Sequence, residues 1–143
     1  METTAQLIET IFSFSRCMKE RMGGKLQGMQ ISVVQLQTLL LVKKQKTVSM
    51  KEIAAYLQIE LPSATSLIDH FVKESLVTRK TNAKDKRLMD ISLTEEGKTV
   101  LEKMKKERTK VMKQVLSPLV ETEKKQLLTI LVKMTKAMKT TNL

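Results

Sequence analysis

Between about Thr4 and Met22 apolar residues return every three or four positions, at Leu7, Ile8, Ile11, Phe14, Met18 and Met22, which predicts a helix with one apolar stripe. Gly23 and Gly24 follow as its stop signal. Ser32 with Gln35, and Ser49 with Glu52, fit the capping box, in which a serine hydroxyl accepts the third helical N–H while the Glu or Gln reaches back. Helices are therefore expected to start near Val33, through VVQLQTLLLV, and near Met50, through the short MKEIAAYL. A longer helix is expected from about Pro62 to Glu74, since proline is tolerated in a first turn where its missing N–H has no helical partner anyway. On a 3.6-residue period Ala64, Leu67, Ile68 and Phe71 share its inner side. Pro62, Ser63, Ser66, Asp69, His70 and Lys73 lie around the other side, with Thr65 on the flank.

The period then changes from helical to two. In LMDISL, Met89, Ile91 and Leu93 alternate with Leu88, Asp90 and Ser92, and the preceding LVTRKT pairs with it as an antiparallel hairpin around a basic loop. Thr94 caps a helix whose first turn holds Glu95 and Glu96, where negative charge suits the helix dipole, and which runs to about Leu116. SPL breaks it. A last helix from about Glu123 to Met138 carries Leu127, Ile130, Leu131, Met134 and Met138 on one stripe. Helix, helix, turn, helix, strand, basic loop and strand is the order of a winged helix-turn-helix. The expected fold is mainly α with a small β-hairpin wing, in a single domain of 143 residues. Its winged core spans 32–98, and helical regions at 1–31 and 99–143 flank it.

Composition narrows what such a fold could do. Aromatic residues make up 3% of the chain and Trp is absent, which disfavours a base-stacking platform for single strands. The single cysteine, Cys17, excludes an intramolecular disulfide, and the first residues lack the pattern of a signal peptide, so a reducing cytoplasm is expected. Apolar clusters such as LQTLLLV fall short of the roughly 20 residues that span a bilayer. His70 is the only histidine, so a His-rich metal site is excluded and no catalytic partners are evident; neither a cofactor nor an enzymatic activity is expected. The ten Met residues read as pliable core and interface filler.

The formal net charge of +11 suggests a polyanionic partner, yet its distribution is uneven. Residues 47–100 hold eight basic and eight acidic side chains, whereas residues 101–143 hold eleven and four. Local placement therefore decides. A B-DNA major groove about 12 Å wide admits one helix, and the small residues Ser63, Thr65 and Ser66 would let the helix after Pro62 approach base edges. A hairpin tip with Lys84, Lys86 and Arg87 has no core to join but can lie along phosphates, and an Arg can enter a narrow minor groove.

The segment from Ser49 to Lys98, SMKEIAAYLQIELPSATSLIDHFVKESLVTRKTNAKDKRLMDISLTEEGK, closely resembles the DNA-binding core of the multiple antibiotic resistance regulator (MarR) family. The resemblance rests on PSAT opening the recognition helix, LID in its middle, LVTR entering the wing, Asp85-Lys86-Arg87 as the wing's Asp-x-Arg, and ISLTEEGK leaving it. It implies a DNA-contacting recognition helix with Pro62, Ser63, Thr65, Ser66, Asp69, His70 and Lys73, and a wing with Arg79, Lys84, Asp85, Lys86 and Arg87. Arg87 is implied as the minor-groove residue and Asp85 as the residue that orients the wing. The chain departs from the family pattern at Ser66, where Arg is frequent, at His70, where a basic residue is frequent, and at Ser75, where Gly commonly follows the helix.

The expected function is that of a cytoplasmic transcriptional regulator, a repressor by resemblance, bound as a homodimer to a pseudo-palindromic duplex. The dimer is expected from apolar stripes that a small reading core cannot cover, including Leu7, Ile11, Met18, Val111, Val115, Leu127, Leu131 and Met134. An effector, small and apolar or anionic, would follow from the resemblance. Cys17 is expected to be structural; the peroxide-sensing branch of the family carries its sensor in the first helix, but no Tyr of the first two helices is at hand here to support a thiolate. Two readings from other classes remain open in the sequence: a winged-helix module that holds a partner protein, and a basic amphipathic protein on anionic membranes.

Overall fold

The computed structural model describes residues 2–22, 25–26, 29–30 and 33–141. The stop signal at Gly23 and Gly24 and the cap at Ser32 lie outside them. Six helices and five short strands follow in order: α1 (Glu2–Met22), β1 (Lys25–Leu26), β2 (Met29–Gln30), α2 (Val33–Lys44), β3 (Thr47–Val48), α3 (Met50–Leu57), α4 (Leu61–Lys73), β4 (Val77–Thr81), β5 (Met89–Leu93), α5 (Glu95–Leu116) and α6 (Glu121–Thr140). They form two compact units, Met1–Arg108 and Thr109–Leu143.

The core of the first unit is built around α2, whose Leu36, Leu39, Leu41 and Val42 are buried on more than one side of the helix. Against them pack Ile53 and Leu57 of α3, Ala64, Ile68 and Phe71 of α4, Val77 and Ile91 of the strands, and Leu101 and Met104 of α5. Thr38 is fully buried within α2 and donates its hydroxyl to the Val34 carbonyl at 2.7 Å, so the one buried polar side chain of this core is satisfied inside its own helix. Burial fixes the orientation of α4. A fully buried Ile or Phe contributes about 1.5–3 kcal/mol, so turning the helix would lose Ile68 and Phe71 and place charged Asp69 in their stead.

Ser49 accepts the Glu52 N–H at 3.1 Å and Thr94 accepts the Gly97 N–H at 2.9 Å, so both of these expected caps are in place. Helix α4 starts one residue earlier than its proline suggested, with Glu60 as its cap and Pro62 within the first turn. The last helix also starts earlier, at Glu121, because the Glu123 carboxylate reaches back to the Val120 N–H at 2.9 Å. The hairpin of β4 and β5 has the expected alternation, with Ile91 buried between the partly buried Met89 and Leu93. It is one strand larger than expected. Thr47 pairs with Asp90 and Val48 with Met89, giving a three-stranded antiparallel sheet in the order β3-β5-β4. Two residues are too short a segment to show a period in sequence.

Helix α4 ends in a Schellman motif: the Leu76 N–H reaches the Phe71 carbonyl at 2.9 Å and the Ser75 N–H reaches that of Val72 at 3.0 Å. This places Ser75 at φ 58°, the left-handed region, at the position where the sequence departs from the glycine of its look-alikes. The strain there costs about 1–2 kcal/mol for a residue with a Cβ, part of which glycine returns through greater freedom of the unfolded chain. Ser75→Gly is therefore expected to stabilise the protein by about 0.5–1 kcal/mol. A chemical-denaturation curve with unchanged slope and a raised midpoint would show it; a lowered midpoint would contradict it.

Neither α1 nor α6 has a buried residue. On α1, Leu7 and Ile11 are about half exposed and Met18 is partly covered; on α6 the same holds of Leu131 and Met134, with Leu127 partly covered. Val111 and Val115 of α5 are partly covered as well. Cys17 is exposed on α1. No helix among the described residues is long and apolar enough to cross a membrane.

Candidate nucleic-acid interface

The outer face of α4 is open to solvent along its length. Pro62, Ser63, Thr65, Ser66, Asp69, His70 and Lys73 are all exposed, while Ala64, Ile68 and Phe71 are buried, as the helical period requires. Small side chains at the helix start leave the backbone approachable, and no side chain caps its first N–H groups. Thr65 differs from its neighbours. Its hydroxyl donates to the Leu61 carbonyl at 3.1 Å, which uses its proton within the helix and leaves the methyl group and the oxygen lone pairs for any outside contact.

The wing loop between Asn82 and Leu88 is shaped by its own polar groups. The Asn82 side-chain oxygen accepts the N–H groups of Lys84 and Asp85, both at 3.0 Å, in an Asx turn. Its amide nitrogen donates to Asp90 at 2.8 Å, and Thr47 of β3 donates to the same carboxylate oxygen at 2.9 Å. The Asn82 N–H to Leu88 carbonyl bond at 3.1 Å closes the loop. At the tip the Asp85 carboxylate accepts three bonds from Arg87, from the backbone N–H at 2.9 Å, from Nε at 3.1 Å and from Nη2 at 3.0 Å. The Arg87 side chain nevertheless stands 88% exposed, with the remaining guanidinium donors facing water.

These bonds set the local charge states. The Arg87 guanidinium and then its backbone N–H hold the Asp85 carboxyl below its ordinary value, and the same pair raises Arg87. Hydrogen bonds from Asn82 and then Thr47 lower Asp90. A cation is thus fixed on an ordered tip, and the carboxylate beneath it stays ionised.

One ion pair joins the helix to the wing, between Asp69 of α4 and Arg79 of β4. The sequence places both residues among the expected DNA contacts, and the structure brings them together as a pair. Asn82, Asp90 and Thr47, which hold the loop, are not among the site residues expected from the sequence. The Asn of TNAKD is a turn signal that points to Asn82, whereas Thr47 and Asp90 come together only across strands β3 and β5. No group of three His, Cys, Asp or Glu side chains that could hold a metal occurs among the described residues.

Comparison with known proteins fits this geometry. The chain is 32% identical over 110 residues to the HTH-type transcriptional repressor MdtR of Bacillus subtilis (strain 168), an alignment covering 77% of this chain and 71% of that one. The family model described as MarR family matches residues 28–88, which contain α2, the helix-turn-helix and most of the wing. The chain belongs to the MarR family. A second relative, the HTH-type transcriptional regulator BilQ of Clostridium symbiosum (strain WAL-14163), is 31% identical over 138 residues and aligns with 95% of this chain and 93% of its own. In fold, the structure of a MarR family protein from Bacillus stearothermophilus matches with a TM-score of 0.82 at 20% identity, covering 96% of each chain. As a MarR-family member the chain is a DNA-binding transcriptional regulator and not an enzyme.

Proposed function

We propose that the protein acts as a homodimer on a pseudo-palindromic duplex operator, with α4 in the major groove and Arg87 in the flanking minor groove, and that it represses transcription. The observation that carries this reading is the combination of an α4 face with small polar residues at its start and a preformed wing tip that presents one exposed guanidinium held by Asp85. A helix can enter a major groove only if its outward side chains are short or hydrogen-bonding, and Ser63, Thr65 and Ser66 meet that condition. Support for a dimer comes from the apolar stripes of α1 and of α6, on which Leu7, Ile11, Leu131 and Met134 stand about half exposed and which a second copy of the chain could cover. Repression is the action named for MdtR. A small apolar or anionic effector is compatible with this arrangement, and no residue is assigned to it.

Selection of bound duplexes from a random pool, followed by mobility shifts with excess heparin, tests the proposal. The expected product is an inverted repeat whose half-sites lie about 34–36 Å apart, one helical turn or a multiple of it, bound by a protein that sediments as a dimer. Enrichment of no sequence, or a monomer at micromolar concentration, would overturn it.

A further inference from the structure

We infer that Arg79 is a positioning residue: it neutralises Asp69 and ties the recognition helix to the wing strand, and it does not contact the DNA backbone. This inference rests on the reading of α4 as the DNA-reading helix. Three observations support it.

The first is direction. Arg79 stands opposite Ile91 in the β4–β5 register, and Ile91 is buried, so strand alternation sends the Arg79 side chain to the inner side of the sheet, where α4 lies. Its neighbours Thr78 and Lys80 leave on the other side. The second is exposure. The Arg79 side chain is 33% exposed, against 88% for Arg87, so the two wing arginines occupy different environments although both carry the same charge. The third is partnership. Among the described residues the other ion pairs lie within the wing loop or within α5, or join α2 to α5 through Lys43 and Glu102; Asp69–Arg79 alone links α4 to the wing.

Asp69 explains why such a partner is needed. It lies on the outer face of α4 between Ser66 and Lys73, where an unpaired carboxylate would face the phosphates of any duplex that the helix entered. Like charges repel, and in a groove partly cleared of water the repulsion is stronger than in bulk solvent. Paired with Arg79, Asp69 presents no net charge. The pair also sets the angle between two elements that must reach adjacent grooves, since the carboxylate is carried by the third turn of α4 and the guanidinium by the middle of β4.

A double-mutant cycle on DNA affinity decides the matter, using the full-length protein, the duplex selected from the random pool, and an unrelated duplex of equal length over a range of salt concentrations. Arg79→Gln should weaken binding to the selected duplex about tenfold. Asp69→Asn should release a cation near the phosphates. It should therefore tighten binding to the unrelated duplex, steepen the salt slope by up to about 0.9 per protomer, and lower the ratio of specific to non-specific affinity. The double variant should return to within about threefold of the wild type on the selected duplex. If Arg79 instead contacts a phosphate, the double variant will stay as weak as Arg79→Gln, and that result overturns the inference. An Asp69→Asn protein with wild-type slope and wild-type non-specific affinity overturns it as well, and this arm does not depend on Arg79→Gln folding. Failure of the underlying reading looks different: the wild type would then select no duplex at all.

Discussion

Gly97→Ala should destabilise the protein by at least about 3 kcal/mol, the range reached by substitutions that force a clash on buried backbone. A Cβ built on Gly97 would lie 1.9 Å from the Leu76 carbonyl oxygen and 2.9 Å from its carbon, both main-chain atoms that cannot swing away as a side chain would. That carbonyl is already engaged, accepting the Thr94 N–H at 3.1 Å. The Thr94 hydroxyl holds the same junction from both sides, donating to the Ser75 carbonyl at 2.5 Å and accepting the Gly97 N–H at 2.9 Å. A methyl group at Gly97 would therefore separate the end of α4, the start of β4 and the start of α5 together. Thermal unfolding should move down by roughly 10 °C or more, or the variant should fail to accumulate as folded protein. A shift of less than about 3 °C would show that the junction can open at little cost.

Arg87→Ala should produce the largest loss of DNA affinity of any single wing substitution, on the order of tenfold or more, with the fold intact. Among the described residues its side-chain hydrogen bonds go to Asp85, and at 88% exposure its removal creates no cavity. The loss should be nearly equal on specific and unrelated duplexes, and the slope of log K against log salt should become shallower by about 0.9 for each contact removed, hence by roughly 1.8 for a dimer. Asp85→Ala should give a smaller loss in the same direction, because it leaves the cation in place and removes the three bonds that aim it. Ser66→Ala should behave differently, relaxing preference at particular base positions by about 1–3 kcal/mol with little change in slope. Affinity and slope that do not change in Arg87→Ala would mean that the wing tip stays in water.

The contrast between what the chain discloses in one dimension and what it withholds follows from the range of the forces involved. Helices α1 to α6 and the hairpin were legible because each is specified locally: Ser49 and Thr94 cap within three residues, Ile68 and Phe71 recur at helical spacing, and Met89, Ile91 and Leu93 alternate. The exposed face of α4 followed from the same period. What depends on residues distant in sequence was not legible. Strand β3 exists only because β5 offers it an edge, and Thr47 meets Asp90 across that pairing. Asp69 and Arg79 are ten residues apart on different elements, and each alone resembles a surface charge. Only their meeting changes their meaning. The glycine at 97 belongs to the same class, since a helix-forming position gives no hint of the carbonyl pressed against it.

The wing loop takes its shape from a small set of residues. Asn82, Asp85 and Arg87, with the main chain and with Asp90 and Thr47 beneath, supply the bonds that shape it, and the side chains of Ala83, Lys84 and Lys86 supply none. Arg87 both closes the tip on Asp85 and presents the cation, whereas the side chains at 83, 84 and 86 take no part in the turn. Substitutions at 83, 84 and 86 can change length, charge or hydrogen-bonding capacity without loss of the bonds that hold the turn, so single steps at these positions should each leave a folded protein. Position 87 lacks that freedom, because a change there begins with a loss of the side-chain bonds to Asp85.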